Sequence, residues 1–591
     1  MLKKNFWGVL VGCALFFSGV THGGAQKKAG EHDQYREYVV SVKTEKSVKA
    51  LKDLSQHIPY AERIVLSKKK NNGFETLVLV KAPVSDSVAP FTAMLSEGSQ
   101  INWIEQNRVF EGDDPREGFH VVNPFADDPV DPQPEPEPRT NDPRLSEQLH
   151  HEVMGNFEAW DTTMGSENII VAVTDDGVEL EHEDLKNRIW VNADEIPGNG
   201  IDDDENGYID DVNGWDFCAK DNDPNPGGSH GTHVAGIIAA EANNETGVAG
   251  TAPNVTIMPL KWYMGGCSWN AAVIAETYQY AVDNGAKIIN TSYNVDWVAN
   301  DATYLAAIDY VNESDVILVN SAGNGNRNDS PRAKNDQLIL AVSTMVDPGV
   351  VDKRSSFSNY GYRTDLAGPG SNILATVLNN QYRKMSGTSM AAPNVAASIA
   401  LLWSLRPSWT KEQVIAKMNM TSDNIHDAND SNYENKLGAG RVNTARALTE
   451  KNALPQFKDF KVFRDGSGFF QETPNQSTRA INLKINSHLT ANRVLSSDSW
   501  SLVFLGEDNL LGTSDDKSIA VKGGDRYLIG SNLVEIRFEE ALQGGTYQLT
   551  GNASQLIDVF GQNLDGNGDG VSGDDYILEF EVPAGNLNSD I

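Results

Sequence analysis

Asn168-Ile169-Ile170-Val171-Ala172-Val173 runs straight into Thr174-Asp175-Asp176-Gly177, and the reading of that junction decides the fold. Ile169 to Val173 are all apolar, the pattern of a short strand buried on both faces. Asp-Asp-Gly then stops the strand, which leaves Asp175 at its carboxyl end. Val255-Thr256-Ile257-Met258, Lys287-Ile288-Ile289-Asn290, Val316-Ile317-Leu318-Val319 and Leu338-Ile339-Leu340-Ala341-Val342 repeat the pattern. Helical stretches over 233–242, 271–283 and 301–311 lie between several of them. The alternation predicts an α/β domain over 143–453, a mostly parallel sheet with helices on both faces. Ligands of such sheets bind beyond the carboxyl ends of the strands, where Asp175 sits.

The 591 residues exceed what one core organises, so several domains are expected. Lys3 and Lys4 precede an apolar run from Phe6 to Val20, followed by Gly23-Gly24-Ala25, the pattern of a cleaved export signal over 1–25. The run falls short of the roughly 18 apolar residues of a membrane span. Leu10-Val11-Gly12-Cys13 resembles a lipobox, so anchoring through Cys13 ranks second to simple cleavage and secretion. Residues 35–112 alternate strand and helix signals: strands at Tyr38–Val42, Arg63–Val65, Thr76–Val80 and Ile101–Ile104, helices at Ser47–His57 and Val88–Leu95. This β-α-β-β-α-β order predicts an α+β, ferredoxin-like unit. The linker 113–142 follows, with alternating proline and acid between Asp127 and Arg139 that favours extended, solvated chain. Beyond Leu454, alternating strands such as Leu533–Phe538 and Tyr576–Phe580, separated by Gly- and Asp-rich turns, predict a β-sandwich over 454–591. The net charge of -34 excludes nucleic acid as a partner, since phosphate binding needs clustered Lys and Arg.

Two further segments carry chemistry: Ser229-His230-Gly231-Thr232-His233-Val234-Ala235-Gly236 and Ser386-Gly387-Thr388-Ser389-Met390-Ala391-Ala392-Pro393. With Asp175 they supply an acid, a base and a nucleophile in the order Asp, His, Ser. The set resembles the subtilisin-like serine peptidases. The resemblance implies a secreted serine endopeptidase with Ser389 as nucleophile, His230 as base and Asp175 orienting the imidazole. Ser389 is expected to open a helix over Met390–Leu405, with Gly387 allowing a tight turn before it. Asn324 in Ala322-Gly323-Asn324-Gly325 falls where the family carries its oxyanion donor. Trp103 to Val109 ends the first unit as the family's propeptides end, which implies an intramolecular inhibitor, a self-processing zymogen and protein or peptide substrates. A catalytically silent surface-binding protein on the same scaffold, with an adhesive β-sandwich, is the alternative.

Family members bind peptides as an added strand, and the matching segments are Ser292-Tyr293-Asn294 and Gly265-Gly266-Cys267. Asn294 stands where glycine is usual. Asp176 resembles the kexin and furin branch, in which a second acid favours basic substrate residues, although the rest of that branch's pattern is missing. Structural Ca2+ is the expected cofactor. Asp202-x-Asp204-x-Asn206-Gly207 opens as a calcium loop does, with Asp210 and Asp211 behind it, and Asp565-x-Asn567-x-Asp569-Gly570 repeats the opening. Asp184 with the loop from Asn244 resembles a further family site, and Glu507–Asp516 is a weaker acidic turn. With the signal removed, Cys218 and Cys267 remain, reading as one disulfide in an oxidising compartment or as two buried thiols.

Overall fold

The computed structural model describes residues 35–44, 61–70, 73–83, 101–108, 120–121, 140–264, 269–335, 337–465, 470–524, 527 and 533–584. The export signal, Cys13, both helices expected in the first unit, the Pro-rich stretch 127–139, Gly265, Gly266 and Cys267 lie outside them.

Four strands, β1 (Tyr35–Thr44), β2 (Ala61–Lys70), β3 (Gly73–Pro83) and β4 (Ile101–Gln106), form an antiparallel sheet in the order β2-β3-β1-β4. Side chains alternate across it as a pleated strand requires. Val40, Val42, Val78 and Val80 pack with Ile101 and Ile104 on one face. Val39, Leu77 and Leu79 point the other way and join a core of the α/β body.

A two-residue strand β5 (His120–Val121) precedes the body. There β6 (Ile170–Asp175), β7 (Trp215–Asp216), β8 (Thr256–Lys261), β9 (Ile288–Thr291), β10 (Ile317–Ser321), β11 (Ile339–Thr344) and β12 (Leu366–Pro369) make one sheet. Its seven strands are all parallel, in the order β12-β11-β10-β9-β6-β8-β7. The continuous apolar runs are explained by two cores, one on each face. Val171, Val173, Ile257, Ile288 and Val319 share one core with helices α1 (His230–Ala239) and α4 (Thr388–Leu405). Ala172, Met258, Ile289 and Leu318 share the other with α2 (Ala271–Asp283) and α3 (Ala302–Glu313). Helix α4 is apolar and long enough to cross a membrane by composition, yet 89% of it is buried in the body. A hairpin of β13 (Ile373–Val377) and β14 (Gln381–Ser386) leads into α4, and β5 pairs with the end of β14.

The first sheet docks on the body through a helix terminus. Glu105 of β4 accepts hydrogen bonds from the Ala302 amide (3.1 Å), the Thr303 amide (3.1 Å) and the Thr303 hydroxyl (3.0 Å) at the start of α3. Asp301, the N-cap residue of that helix, makes no side-chain cap and pairs with Arg108.

After the body come β15 (Phe457–Asp465), β16 (Phe470–Gln471), β17 (Thr478–Ile485), β18 (Trp500–Phe504), β19 (Lys517–Ile519), β20 (Val521–Gly523), β21 (Leu533–Phe538), β22 (Gly545–Gly551) and β23 (Tyr576–Val582). They form two antiparallel sheets, β16-β15-β17-β21-β20 and β19-β18-β22-β23, with a common apolar core that includes Ile481, Leu483, Leu502, Ile536 and Leu549.

Candidate active site

Asp175 is the last residue of β6, and its carboxylate is buried with every nearby donor aimed at it. His230 Nδ1 lies 2.7 Å from Oδ1 and 3.0 Å from Oδ2, while the Tyr263 hydroxyl and the Asp176 amide each donate to Oδ1 at 2.8 Å. An ionised carboxylate only accepts, so Nδ1 of His230 carries the proton and Nε2 is the basic nitrogen. His230 can stand there because of what starts its helix. The Asp176 carboxylate accepts from the amides of His230 (3.3 Å) and Gly231 (2.7 Å), neutralising the first free N–H groups of α1. Gly231 permits the approach: a Cβ there would meet the Gly177 carbonyl at 2.2 Å and the Asp175 Cβ at 2.9 Å. His233, one turn on, lies against the carbonyls of Arg383 (2.9 Å) and Ile373 (3.1 Å), and burial pushes it down to about 3, so it is neutral.

The Asp176 carboxylate is buried and caps the His230 helix, so it helps hold the base in position.

Ser389 lies within the first turn of α4, which begins at Thr388, one residue before the expected nucleophile. Pro393 lacks the N–H that would bond the Ser389 carbonyl four residues back. Ser292, just beyond β9, fills that gap: its hydroxyl donates to the Ser389 carbonyl at 2.9 Å. In return the Ser389 hydroxyl donates to the Ser292 carbonyl at 2.9 Å. Gly387 makes no tight turn, since its backbone is extended (φ 165°, ψ 160°).

Asn324 follows β10 and is fixed by the same helix start. Its Oδ1 accepts from the Thr388 amide and the Thr388 hydroxyl, both at 2.8 Å. The Thr388 amide can only donate, so the oxygen must face it and the NH2 group points away. That NH2 would lie 3.6 Å from a Cβ placed on Gly387. Asn324 and Ser389 line one recess, together with Tyr293 and Asn294 of the expected substrate segment. The Tyr293 side chain points down into the core, its hydroxyl 3.1 Å from Thr174 Oγ1. Asn294 accepts from Arg332 Nη2 and from the Asp296 amide (2.8 Å). Tyr263 and Arg332 belong to no sequence motif, and only the fold brings them here.

The acidic loops are gathered in part. Oxygens of Glu195, Asp202 and Asp204 lie within 4.8 Å of one another, as do those of Asp565, Asp569 and Asp574. These all-oxygen sets fit a hard divalent cation such as Ca2+. Glu195 was missed because it falls outside the loop opening, whereas Asp574 follows the second opening in sequence. Asp210 and Asn206 make hydrogen bonds within the loop. The Asp210 carboxylate caps the amides of Asn199 (3.0 Å) and Gly200 (2.9 Å). Asn206 turns its NH2, not its oxygen, to Asp204 (3.0 Å) and Asp211 (3.1 Å). Asp211 also accepts from the Tyr280 hydroxyl. Asn567 uses its side-chain oxygen on the Asp569 amide at 2.9 Å. Asp184 accepts from Asn244 Nδ2 (2.7 Å) and the Val248 amide (3.0 Å), and burial, with the Asp142 charge adding to it, pushes it up to about 7. Cys218 is disulfide-bonded.

Comparison with known proteins follows the same body. A family model for the subtilase family of peptidases matches residues 166–440. A thermophilic serine proteinase of Bacillus sp. (strain AK1) is 35% identical over 291 residues, 49% of this chain and 64% of the relative. Thermitase of Thermoactinomyces vulgaris is 34% identical over 292 residues, 49% of this chain and 92% of thermitase. A halolysin-like extracellular serine protease of Natrialba magadii is 31% identical over 312 residues, covering 52% of each chain. The chain thus spans less than two thirds of the first and third of these relatives.

Proposed function

The chain belongs to the subtilase family of serine peptidases, and from that premise we propose that it is a secreted, calcium-stabilised endopeptidase made as a self-processing zymogen. The observation that carries the reading is the buried Asp175 carboxylate, 2.7 Å from His230 Nδ1 at the end of β6, with Ser389 and Asn324 on neighbouring segments. In the proposed reaction Ser389 exchanges its bond to the Ser292 carbonyl for one to His230 Nε2. His230 takes the hydroxyl proton as Oγ attacks the substrate carbonyl carbon, and Asp175 stabilises the imidazolium that forms. The NH2 of Asn324 and the backbone amide of Ser389 stabilise the oxyanion. His230 then returns the proton to the leaving amine, and water hydrolyses the acyl-enzyme by the same steps in reverse roles.

Residues 35–112 serve as the inhibitory propeptide in this reading, a role supported by the three hydrogen bonds Glu105 accepts at the start of α3. The two C-terminal sheets are a β-sandwich domain, a reading supported by their common core. Glu195, Asp202 and Asp204 in one place, and Asp565, Asp569 and Asp574 in another, would hold Ca2+, which would pin loops whose carboxylates otherwise repel. Export is supported by the Lys3–Ala25 pattern and by the extracellular relative. Ser389→Ala tests the function: the purified full chain should neither shorten itself nor cleave casein. A variant that matures alone and digests casein refutes it.

A further inference from the structure

The recess beside Ser389 is lined by charge where an apolar pocket would serve a large apolar side chain. At its floor lies Arg332, 1% exposed, whose Nε donates to Asp296 Oδ1 at 2.8 Å. Nη1 of Arg332 is held by the Ser321 carbonyl at 2.8 Å and, more weakly, by the Tyr293 carbonyl at 3.3 Å. Nη2 carries two hydrogens and, among the described residues, donates to one acceptor, Asn294 Oδ1. Gly323 leaves room beside that nitrogen: a Cβ at this position would lie 2.4 Å from Asn359 Nδ2, 3.3 Å from Nη2 and 3.4 Å from Cζ. Arg327, exposed at the rim, adds a second guanidinium. Against these stands one carboxylate, Asp296, whose Oδ1 is already taken by the Arg332 amide at 3.0 Å and by its Nε. The lining therefore carries an excess positive charge and a spare guanidinium N–H.

We propose that this recess receives the side chain just before the scissile bond and selects an acidic one, glutamate or aspartate, through Arg332 at the floor and Arg327 at the rim. The proposal rests on the peptidase reading above and names the substrate class of that site. A planar guanidinium matches a carboxylate in geometry as well as charge. A lysine or arginine there would meet two like charges. A large apolar side chain would strip water from the charged lining without replacing its hydrogen bonds.

The test uses the mature enzyme and internally quenched peptides that differ only in the residue before the cut: Glu, Gln, Leu or Lys. The Glu peptide should exceed each of the others by about tenfold or more in kcat/KM, the scale of one charge pair at an interface. Arg327→Glu, on the surface, should lower the Glu-to-Leu ratio by about tenfold, and Arg332→Met should reverse the preference. If Arg332→Met does not fold, Arg327→Glu decides alone. Leu or Lys peptides cleaved as fast as Glu by the unmodified enzyme, or a ratio indifferent to Arg327→Glu, overturns the proposal while leaving the peptidase reading intact. An enzyme that cleaves no peptide and no casein overturns both.

Discussion

Removing the Glu105 carboxylate should cripple inhibition by the N-terminal unit, while removing Arg108 should barely matter. Helix α3 begins at Ala302 without a cap of its own, because Asp301 makes no side-chain cap and pairs with Arg108. Glu105 supplies what is missing, accepting from two backbone amides and one hydroxyl at 3.0–3.1 Å. Such charge-assisted bonds contribute about 1.5–3 kcal/mol apiece and do not add fully, and the helix dipole adds up to about 1 kcal/mol. About 3 kcal/mol for Glu105→Ala corresponds to roughly a hundredfold weaker binding. Arg108 is 64% exposed, so its pair with Asp301 is screened by water and contributes about 0–1 kcal/mol. The assay is titration of the mature enzyme with residues 26–112 added in trans, read as an inhibition constant. Glu105→Ala should raise that constant about a hundredfold and Arg108→Ala by less than about fivefold. A Glu105→Ala unit that inhibits as well as the original, or one that outperforms Arg108→Ala, would refute the docking argument.

Asn324→Ala should lower kcat about 10²–10³-fold with little change in KM, the loss known for an oxyanion donor in a member of this same family, measured with a peptide substrate. Lys484 is buried in β17, its ammonium donating to the Gly438 carbonyl at 2.6 Å, and burial pushes its pKa down to about 8 despite the nearby Asp365 charge. Its folded pKa is below the unfolded value of 10.5, so the unfolded chain binds the extra proton between pH 8 and 10.5 and stability rises with pH across that window. Below about pH 8 the full penalty holds, at most roughly 3 kcal/mol, partly offset by the hydrogen bond. Lys484→Met should therefore raise Tm by about 2–4 °C at pH 7, with the gain fading towards pH 10 in thermal melts. Chelation of calcium should lower Tm by several degrees, and readdition should restore it. A Glu195→Gln and Asp202→Asn double variant should lose most of that response, given that ligand at 100 times its Kd contributes about 2.7 kcal/mol.

The sequence made the body legible where its physics is local. Ile169–Val173 and its four counterparts are rich in apolar residues because the sheet they form is covered on both faces. β7 has two residues, β12 is broken by Gly368 and Pro369, and β14 is mostly polar and exposed, so these leave no apolar run. Asp175, His230, Asn324 and Ser389 could be named because they sit in extended motifs at strand ends and helix starts. The capping contact of Asp176 could not be read from sequence, because its partner amides lie 54 and 55 residues away, at the start of α1. Tyr263, Glu195 and Arg332 were invisible for the same reason: each owes its role to contacts that only the assembled sheet creates. Gly387 shows the converse error, since a glycine beside a nucleophile suggests a turn, yet the chain there is extended.

The central claim is that Ser389, activated through His230 and Asp175, is the nucleophile. Exposure of the mature enzyme to a fluorophosphonate, followed by peptide mapping, tests it most directly. One covalent adduct on Ser389, lost in His230→Ala and accompanied by complete loss of peptidase activity, is the expected result. An unlabelled Ser389 in an enzyme that still cleaves peptides, or an adduct on another serine, would contradict it.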